Sequence, residues 1–281
     1  MEKKLLFIFL VLSILTVKGQ CIIAYNREIR NIPDSDKRNF NGNVKSVSYS
    51  FYHVVNNFGE ISNGIKKCDQ EILFNEDQTV KKITTYLLNG EIDNVDLYEY
   101  ENGEKKFISH FTGEGILASK TAFIREGLKI REQLFWSDGR LNGLYFIRIY
   151  DLQENMIEEV WKYHENPEKS DIEKYYYDKY NRVIKSINIF NDIITFTYKD
   201  NFSITPVKIE RFDNITKKFK ISESFEYNLQ GNIIKQYNSK GLESSYDYIY
   251  DNKNNWIKRT LFLTDAKIPD EIIERKINYF Q

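Results

Sequence analysis

The chain has 281 residues, with Lys+Arg 40 against Asp+Glu 41 and a formal net charge of -1. An apolar fraction of 41% with 29% charged residues is a globular composition and excludes long disorder. The even charge leaves no basic stripe for nucleic acid, and no apolar run of about 18 residues lies beyond the N-terminus, which excludes a multi-span helical membrane protein.

The N-terminus comes first. Lys3 and Lys4 precede an apolar stretch from Leu5 to Leu15, broken only by Ser13. Val17 and Gly19 then offer residues compatible with cleavage after Gly19. This is the plan of a secretory signal peptide over residues 1–19, too short to span a bilayer. It predicts an exported protein in the periplasm, on the outer surface or released. Cys21 follows the cleavage site. Lipidation of Cys21 would tether the chain to a membrane, and this is the one route to membrane attachment. The Gln20 and Lys18 that precede it depart from the usual lipidation pattern. Cys21 and Cys68 are the two cysteines. In an oxidising compartment they can join in a disulfide closing a loop of about 46 residues. The alternative is two free thiols.

Residues 20–43 are mixed and polar and read as an irregular lead-in. Strands are expected from Val44 onward, in one β-repeat domain covering 44–281. Gly-containing pairs punctuate short apolar runs and read as turns: Phe58-Gly59, Asn63-Gly64, Asn89-Gly90, Asn102-Gly103, Asp138-Gly139 and Asn142-Gly143. His164–Pro167 reads as a longer connection, and Lys267–Asp270 as another before a terminal strand over 272–280.

A repeated phrase dominates the second half. Tyr177-Asp178-Lys179-Tyr180-Asn181-Arg182-Val183-Ile184-Lys185 is one copy. A second runs from Tyr227 through Asn228 and Gly231 to Lys235, and a third from Tyr250 through Asp251 and Asn254 to Lys258. A fourth begins at Tyr150, with Glu154 at the turn position. Weaker copies begin at Phe74 and Phe212. Before the turn, Tyr246, Tyr248 and Tyr250 alternate with Asp247, Ile249 and Asp251. After it, Trp256, Lys258 and Thr260 alternate with Ile257, Arg259 and Leu261. Period two on both sides of a polar pause is a β-hairpin. The Asp or Asn can accept from the backbone ahead of it and start a type I turn. Asn181, Gly231 and Asn254 tolerate the left-handed backbone that a following bulge requires. The copies start at 150, 177, 212, 227 and 250, an irregular spacing. The expected fold is therefore all-β, an antiparallel meander of repeated β-hairpins forming an elongated, twisted or curled sheet.

The phrase resembles the YD repeats of the Rhs family, and most of all the short secreted YD-repeat-like proteins of Bacteroidetes-type bacteria. The resemblance is good over 145–281 and loose over 44–144, where Tyr100–Lys105 and Trp136–Leu141 resemble MORN-like hairpins. It implies an extracytoplasmic all-β scaffold. Large Rhs proteins use such repeats as a shell around a toxic C-terminal domain. Here only the strand-like 272–280 precedes Gln281, so the shell function is not carried over.

No motif indicates a cofactor or a reaction. The three histidines, His53, His110 and His164, are far apart, and with two cysteines they form no standard zinc pattern. The turn at Asp251–Asn255 has calcium-loop spacing, but Lys253 interrupts it and turn chemistry accounts for its residues. Lys185, Lys235 and Lys258 could form a basic ladder or an ordinary charged face. Tyr175, Tyr177, Tyr246, Tyr248, Tyr250 and Trp256 are the candidate aromatic binding face for sugar rings. Their alternative role is core packing of a thin sheet. The leading expectation is a non-enzymatic binding or structural role at the envelope or outside the cell, with a protein or glycan partner. A glycan hydrolase using a carboxylate pair is the alternative, and an accessory or neutralising partner of a secreted toxin a weaker one.

Overall fold

A computed structural model describes residues 40–57, 60–213, 215–264 and 266–281. The signal-peptide segment, most of the lead-in, Cys21 and the Phe58-Gly59 turn lie outside the described residues. The described residues form 18 β-strands and no helix, as one antiparallel sheet.

The contacts divide this sheet into two compact units. The first is built on β1 (Val44–Asn57), β2 (Glu60–Phe74), β3 (Val80–Tyr86) and β18 (Glu271–Tyr279). The second holds most of β4 (Ile92–Glu101), then β5 (Glu104–Thr112), β6 (Leu117–Glu126), β7 (Lys129–Trp136), β8 (Leu141–Tyr150), β9 (Met156–Tyr163) and β10 (Asn166–Tyr177). It continues through β11 (Val183–Ile187), β12 (Ile193–Thr197), β13 (Lys208–Asp213), β14 (Lys218–Tyr227) and β15 (Ile233–Asn238). β16 (Gly241–Tyr250) and β17 (Trp256–Leu263) contribute to both.

In the first unit β1 alternates Val47, Tyr49 and Phe51 with Ser46, Ser48 and Ser50. One face is therefore apolar, and both backbone edges remain to be satisfied. β2 takes one edge, with Val47 opposite Ile72 and Phe51 opposite Cys68. β18 takes the other, with Val47 opposite Ile277 and Phe51 opposite Ile273. The all-β antiparallel meander is as expected, and the pairing of its ends adds to the expected elongated, twisted or curled sheet. Among the described residues the first strand pairs with the last, so neither leaves an open edge along this seam. The reason is that β18 matches the Val44–His53 part of β1 in apolar pattern, and an unpaired edge would leave a row of exposed backbone donors and acceptors.

This seam holds the main core. Val44, Val47, Ile72, Ile83, Ile272 and Ile273 are at most 2% exposed. Burying each such side chain stabilises by about 1.5–3 kcal/mol. The Arg275 guanidinium lies 3.2 Å from the Trp256 ring centre and 4.8 Å from that of Tyr49, a cation held between aromatic faces. The second unit buries differently. Its buried side chains include Ala122, Val160, Ser109, Thr121, Gln133, Ser186 and Ser244, mostly small or polar.

The repeated phrase folds as its residues require. In the turn after β10, the Asp178 N–H donates to the Arg182 carbonyl at 2.9 Å and the Asn181 N–H to the Asp178 carbonyl at 3.1 Å. The same pair of bonds recurs at Asp151–Asn155, Asn228–Asn232 and Asp251–Asn255, and in the weaker copy at Asn75–Thr79. The fourth residue is left-handed each time: Asn181 at φ 59°, Gly231 at 79°, Asn254 at 62°, Glu154 at 62° and Gln78 at 68°. This is a type I turn with a following bulge. The leading side chain secures it, since Asp178 Oδ1 accepts from the N–H groups of Tyr180 and Arg182.

Tyrosine hydroxyls, two of them from the phrase, tie one hairpin to the next. Tyr177 donates its hydroxyl to the Met156 carbonyl at 2.7 Å, just past the preceding turn. Tyr198 does the same to Val183 at 2.9 Å and Tyr227 to Pro206 at 2.8 Å. In the first unit Tyr279 donates to the Asp251 carboxylate. The Asn255 side-chain amide beside it donates to the Asn41 carbonyl at 2.9 Å, fixing the end of the lead-in.

Three expected connections fall elsewhere. Asn63-Gly64 lies within β2 and Asn142-Gly143 within β8, while the His164–Pro167 connection shrinks to His164 and Glu165. Gly64 is there for space: a Cβ would meet Val55 Cγ2 at 2.5 Å and the His53 carbonyl oxygen at 3.0 Å. The Lys267–Asp270 connection and the terminal strand are as expected.

Candidate functional site

Strand register in the second unit aligns a row of polar and aromatic residues on one face. Asp96 stands opposite His110, and His110 opposite Ser119. Thr121 is opposite Leu134, and Glu132 opposite Phe146. Phe146 is opposite Trp161 and Arg148 opposite Glu159. Glu159 in turn is opposite Glu173. Because residues directly opposite share a face, these side chains form one continuous surface across β4 to β10.

A groove of about 350 Å³ opens on this surface. His110, Ser119, Thr121, Glu132, Leu134, Leu144 and Phe146 line it. Two hydrogen-bonded systems meet there. In the first, His110 Nδ1 lies 2.8 Å from Asp96 Oδ1, and His110 Nε2 lies 3.1 Å from Thr121 Oγ1. In the second, Arg148 is shared by two carboxylates. Its Nη1 donates to Glu132, and its Nε donates to Glu159 at 3.3 Å. Burial alone would lower the Arg148 pKa, but the two glutamates prevail and raise it, so the cation is fixed. Glu159 also accepts from Trp161 Nε1 at 3.1 Å, and the Trp161 ring meets Phe146 edge-on at 5.4 Å between centroids.

The face also carries a directly opposed carboxylate pair. Burial raises the Glu173 pKa, opposed by a hydrogen bond from Tyr175 and assisted by the Glu159 charge. Glu159 is held by Arg148 and Trp161 as an acceptor. Among the described residues, no group of three His, Cys, Asp or Glu side chains could hold a metal ion.

The sequence-derived candidates fall in different places. Tyr175 and Tyr177 are half-buried in the second unit. Burial is the main reason the Tyr175 hydroxyl titrates far above the ordinary phenol range and Tyr177 is pushed up to about 12. Tyr246, also in the second unit, shares a hydrogen bond with Ser244 at 3.1 Å. Tyr248, Tyr250 and Trp256 belong to the first unit, where Tyr248 packs 6.0 Å from Tyr250 and 6.1 Å from Trp256. Trp256 is 8% exposed and lies under Arg275, which is the environment of a packing residue. Cys68 is buried in β2, and the proposed partner Cys21 lies outside the described residues. The lysine column is taken up singly: Lys235 by Glu226, Lys258 by Glu274, and Lys185 over the Tyr176 ring. Sequence reasoning passed over Asp96, Thr121, Glu132 and Arg148. Their only sequence signal is the period-two placement of polar residues on strands.

No family model matches the sequence, and no curated protein matches it. Among solved structures, a porin-like protein from Bacteroides uniformis aligns with a TM-score of 0.42 and 8% identity, covering 84% of this chain and 98% of that one. The TcdB2-TccC3-Cdc42 structure aligns with a TM-score of 0.33 and 9% identity over 72% of this chain and 14% of that one. The Tc holotoxin pore of Photorhabdus luminescens gives 0.30 and 9%, over 69% of this chain and 14% of that one. With these TM-scores below 0.5, nothing of those proteins' roles passes to this chain.

Proposed function

We propose that the chain is an exported β-repeat protein of YD-repeat type that binds a glycan at the cell envelope or outside the cell, and that the groove on β5 to β8 is its ligand site. The observation that carries this reading is the composition of the groove. Hydroxyl, imidazole and carboxylate groups converge beside Phe146, and Trp161 backs that ring. Sugars are held by an aromatic ring against their C–H face and by fixed polar partners for their hydroxyls. The shared Arg148 fixes Glu132 and Glu159 in place before any ligand arrives, which reduces the ordering cost of binding.

Export itself rests on the signal-peptide pattern of residues 1–19.

The test is a glycan array probed with the full chain and with Phe146→Ala. Binding of a defined glycan group, weakened at least about tenfold in Phe146→Ala, supports the reading, since one aromatic contact is worth roughly 1–3 kcal/mol. Equal binding by a folded Phe146→Ala protein would move the site elsewhere. Silence on the array, with capture of a protein partner instead, would replace the glycan.

A further inference from the structure

We propose that Thr121, His110 and Asp96 form a nucleophile relay, and that the groove cleaves esters carrying an uncharged, apolar acyl group. With His110 neutral, the hydrogen-bonding capacities of the three groups give the relay its direction. An ionised Asp96 carboxylate only accepts, so the bond at 2.8 Å requires the proton on His110 Nδ1. In neutral imidazole the other nitrogen, Nε2, then holds a lone pair. The bond at 3.1 Å is therefore donated by the Thr121 hydroxyl. Hydroxyl to imidazole to carboxylate is the order of roles by which nucleophilic triads are recognised on unrelated folds.

The placement supports the chemistry. The three residues come from the paired strands β4, β5 and β6, so register and not a loop sets their geometry. Thr121 is 7% exposed and still lines the groove, so a bound ligand would meet it away from bulk water. Leu134, Leu144 and Phe146 give the groove an apolar wall for the acyl group, and Glu132 disfavours an anionic one. Ser119, opposite His110, is the other hydroxyl donor in the groove.

The reaction balances with water as the sole co-reactant. Thr121 Oγ attacks the ester carbonyl carbon as its proton passes to His110 Nε2. The ester C–O bond then breaks, and the same proton passes from Nε2 to the leaving alkoxide. Water attacks the acyl-threonine by the same route. It gives up a proton to Nε2, the Oγ–acyl bond breaks, and the proton returns to Thr121 as the carboxylic acid leaves. Thr121 and His110 are the catalytic residues in this scheme, and Asp96 is a positioning residue.

The experiment treats the full chain with a biotinylated fluorophosphonate, which loses fluoride when an activated hydroxyl attacks phosphorus. Intact mass and peptide mapping locate the adduct. One adduct on Thr121 is expected. It is absent in Thr121→Val, retained in Thr121→Ser, and about 100-fold slower to form in His110→Gln. Asp96→Asn is expected to slow labelling by a similar or larger factor, and Asp96→Glu to restore part of the rate, which a purely packing role would not do. No adduct on the folded chain at saturating probe, or an adduct that persists in Thr121→Val, overturns the relay. Glycan binding with an unlabelled Thr121 would sink the relay and leave the binding reading intact.

Discussion

Glu154 holds the left-handed turn position that Asn181, Gly231 and Asn254 hold in the other full copies of the repeat, at φ 62°. A side chain with a Cβ is strained there by roughly 1–2 kcal/mol, and glycine gives back part of that in unfolded-chain entropy. Glu154→Gly should therefore stabilise the chain by about 0.5–1 kcal/mol, read as a higher urea midpoint at unchanged slope. A lower midpoint would mean that the carboxylate has a stabilising role that outweighs the strain. The turn residues were legible because Asp, Asn and Gly have few other reasons to recur at that spacing. The relay was not. Asp96 and Thr121 stand 14 and 11 positions from His110, and only β-register brings them to one imidazole.

The hairpin turns that an aspartate leads concentrate hydrogen-bond donors on its carboxylate, and this sets an acid limit on stability. The pKa of Asp151 is held down by the Asn155 side chain and by the N–H groups of Asn155 and Gln153. At Asp251 burial acts upward, but the Tyr279 hydroxyl and the N–H groups of Asn255 and Lys253 prevail and keep it low. Asp178 is similar, with Arg182 overcoming the effect of burial. Asp200 is lowered by the Phe202 N–H and by both Ser203 donors. A carboxylate with a depressed folded pKa contributes stability above its unfolded value, about 3.9, and loses it as pH falls through the folded value. Denaturation midpoints should thus be level from about pH 7 to 5 and fall steadily below about pH 4. Replacing Asp151, Asp178 and Asp251 together by Asn, which keeps an acceptor in each turn, should flatten that acid limb. An unchanged limb in the triple variant would locate the acid sensitivity elsewhere. At this scale the sequence spoke unevenly. Asn188–Asp192 forms the same turn, with Asn191 left-handed, but lacks the leading Tyr and passed unnoticed. Asn63-Gly64 and Asn142-Gly143 read as turns because Asn-Gly is the strongest local turn signal. Strand pairing overrode it: Asn63 pairs with Val54 of β1, and at Gly64 that neighbouring strand leaves no room for a Cβ.

For the molecule as a whole, period-two patterning announced an antiparallel meander, but not where it ends. Closure is a pairing between residues more than 200 positions apart, such as Val47 with Ile277, and no local pattern encodes it. Only the complementary apolar faces of β1 and β18 hint at it. Native-state hydrogen exchange on β1 tests the closure most directly. In a strand paired on both edges, consecutive amides from Ser46 to Phe51, where both registers are regular, are bonded to β2 or to β18 and should all exchange slowly. If alternate β1 amides exchanged at the rate of an open edge while the β2-facing ones stayed protected, the first and last strands would not be joined, and the closed meander would be wrong.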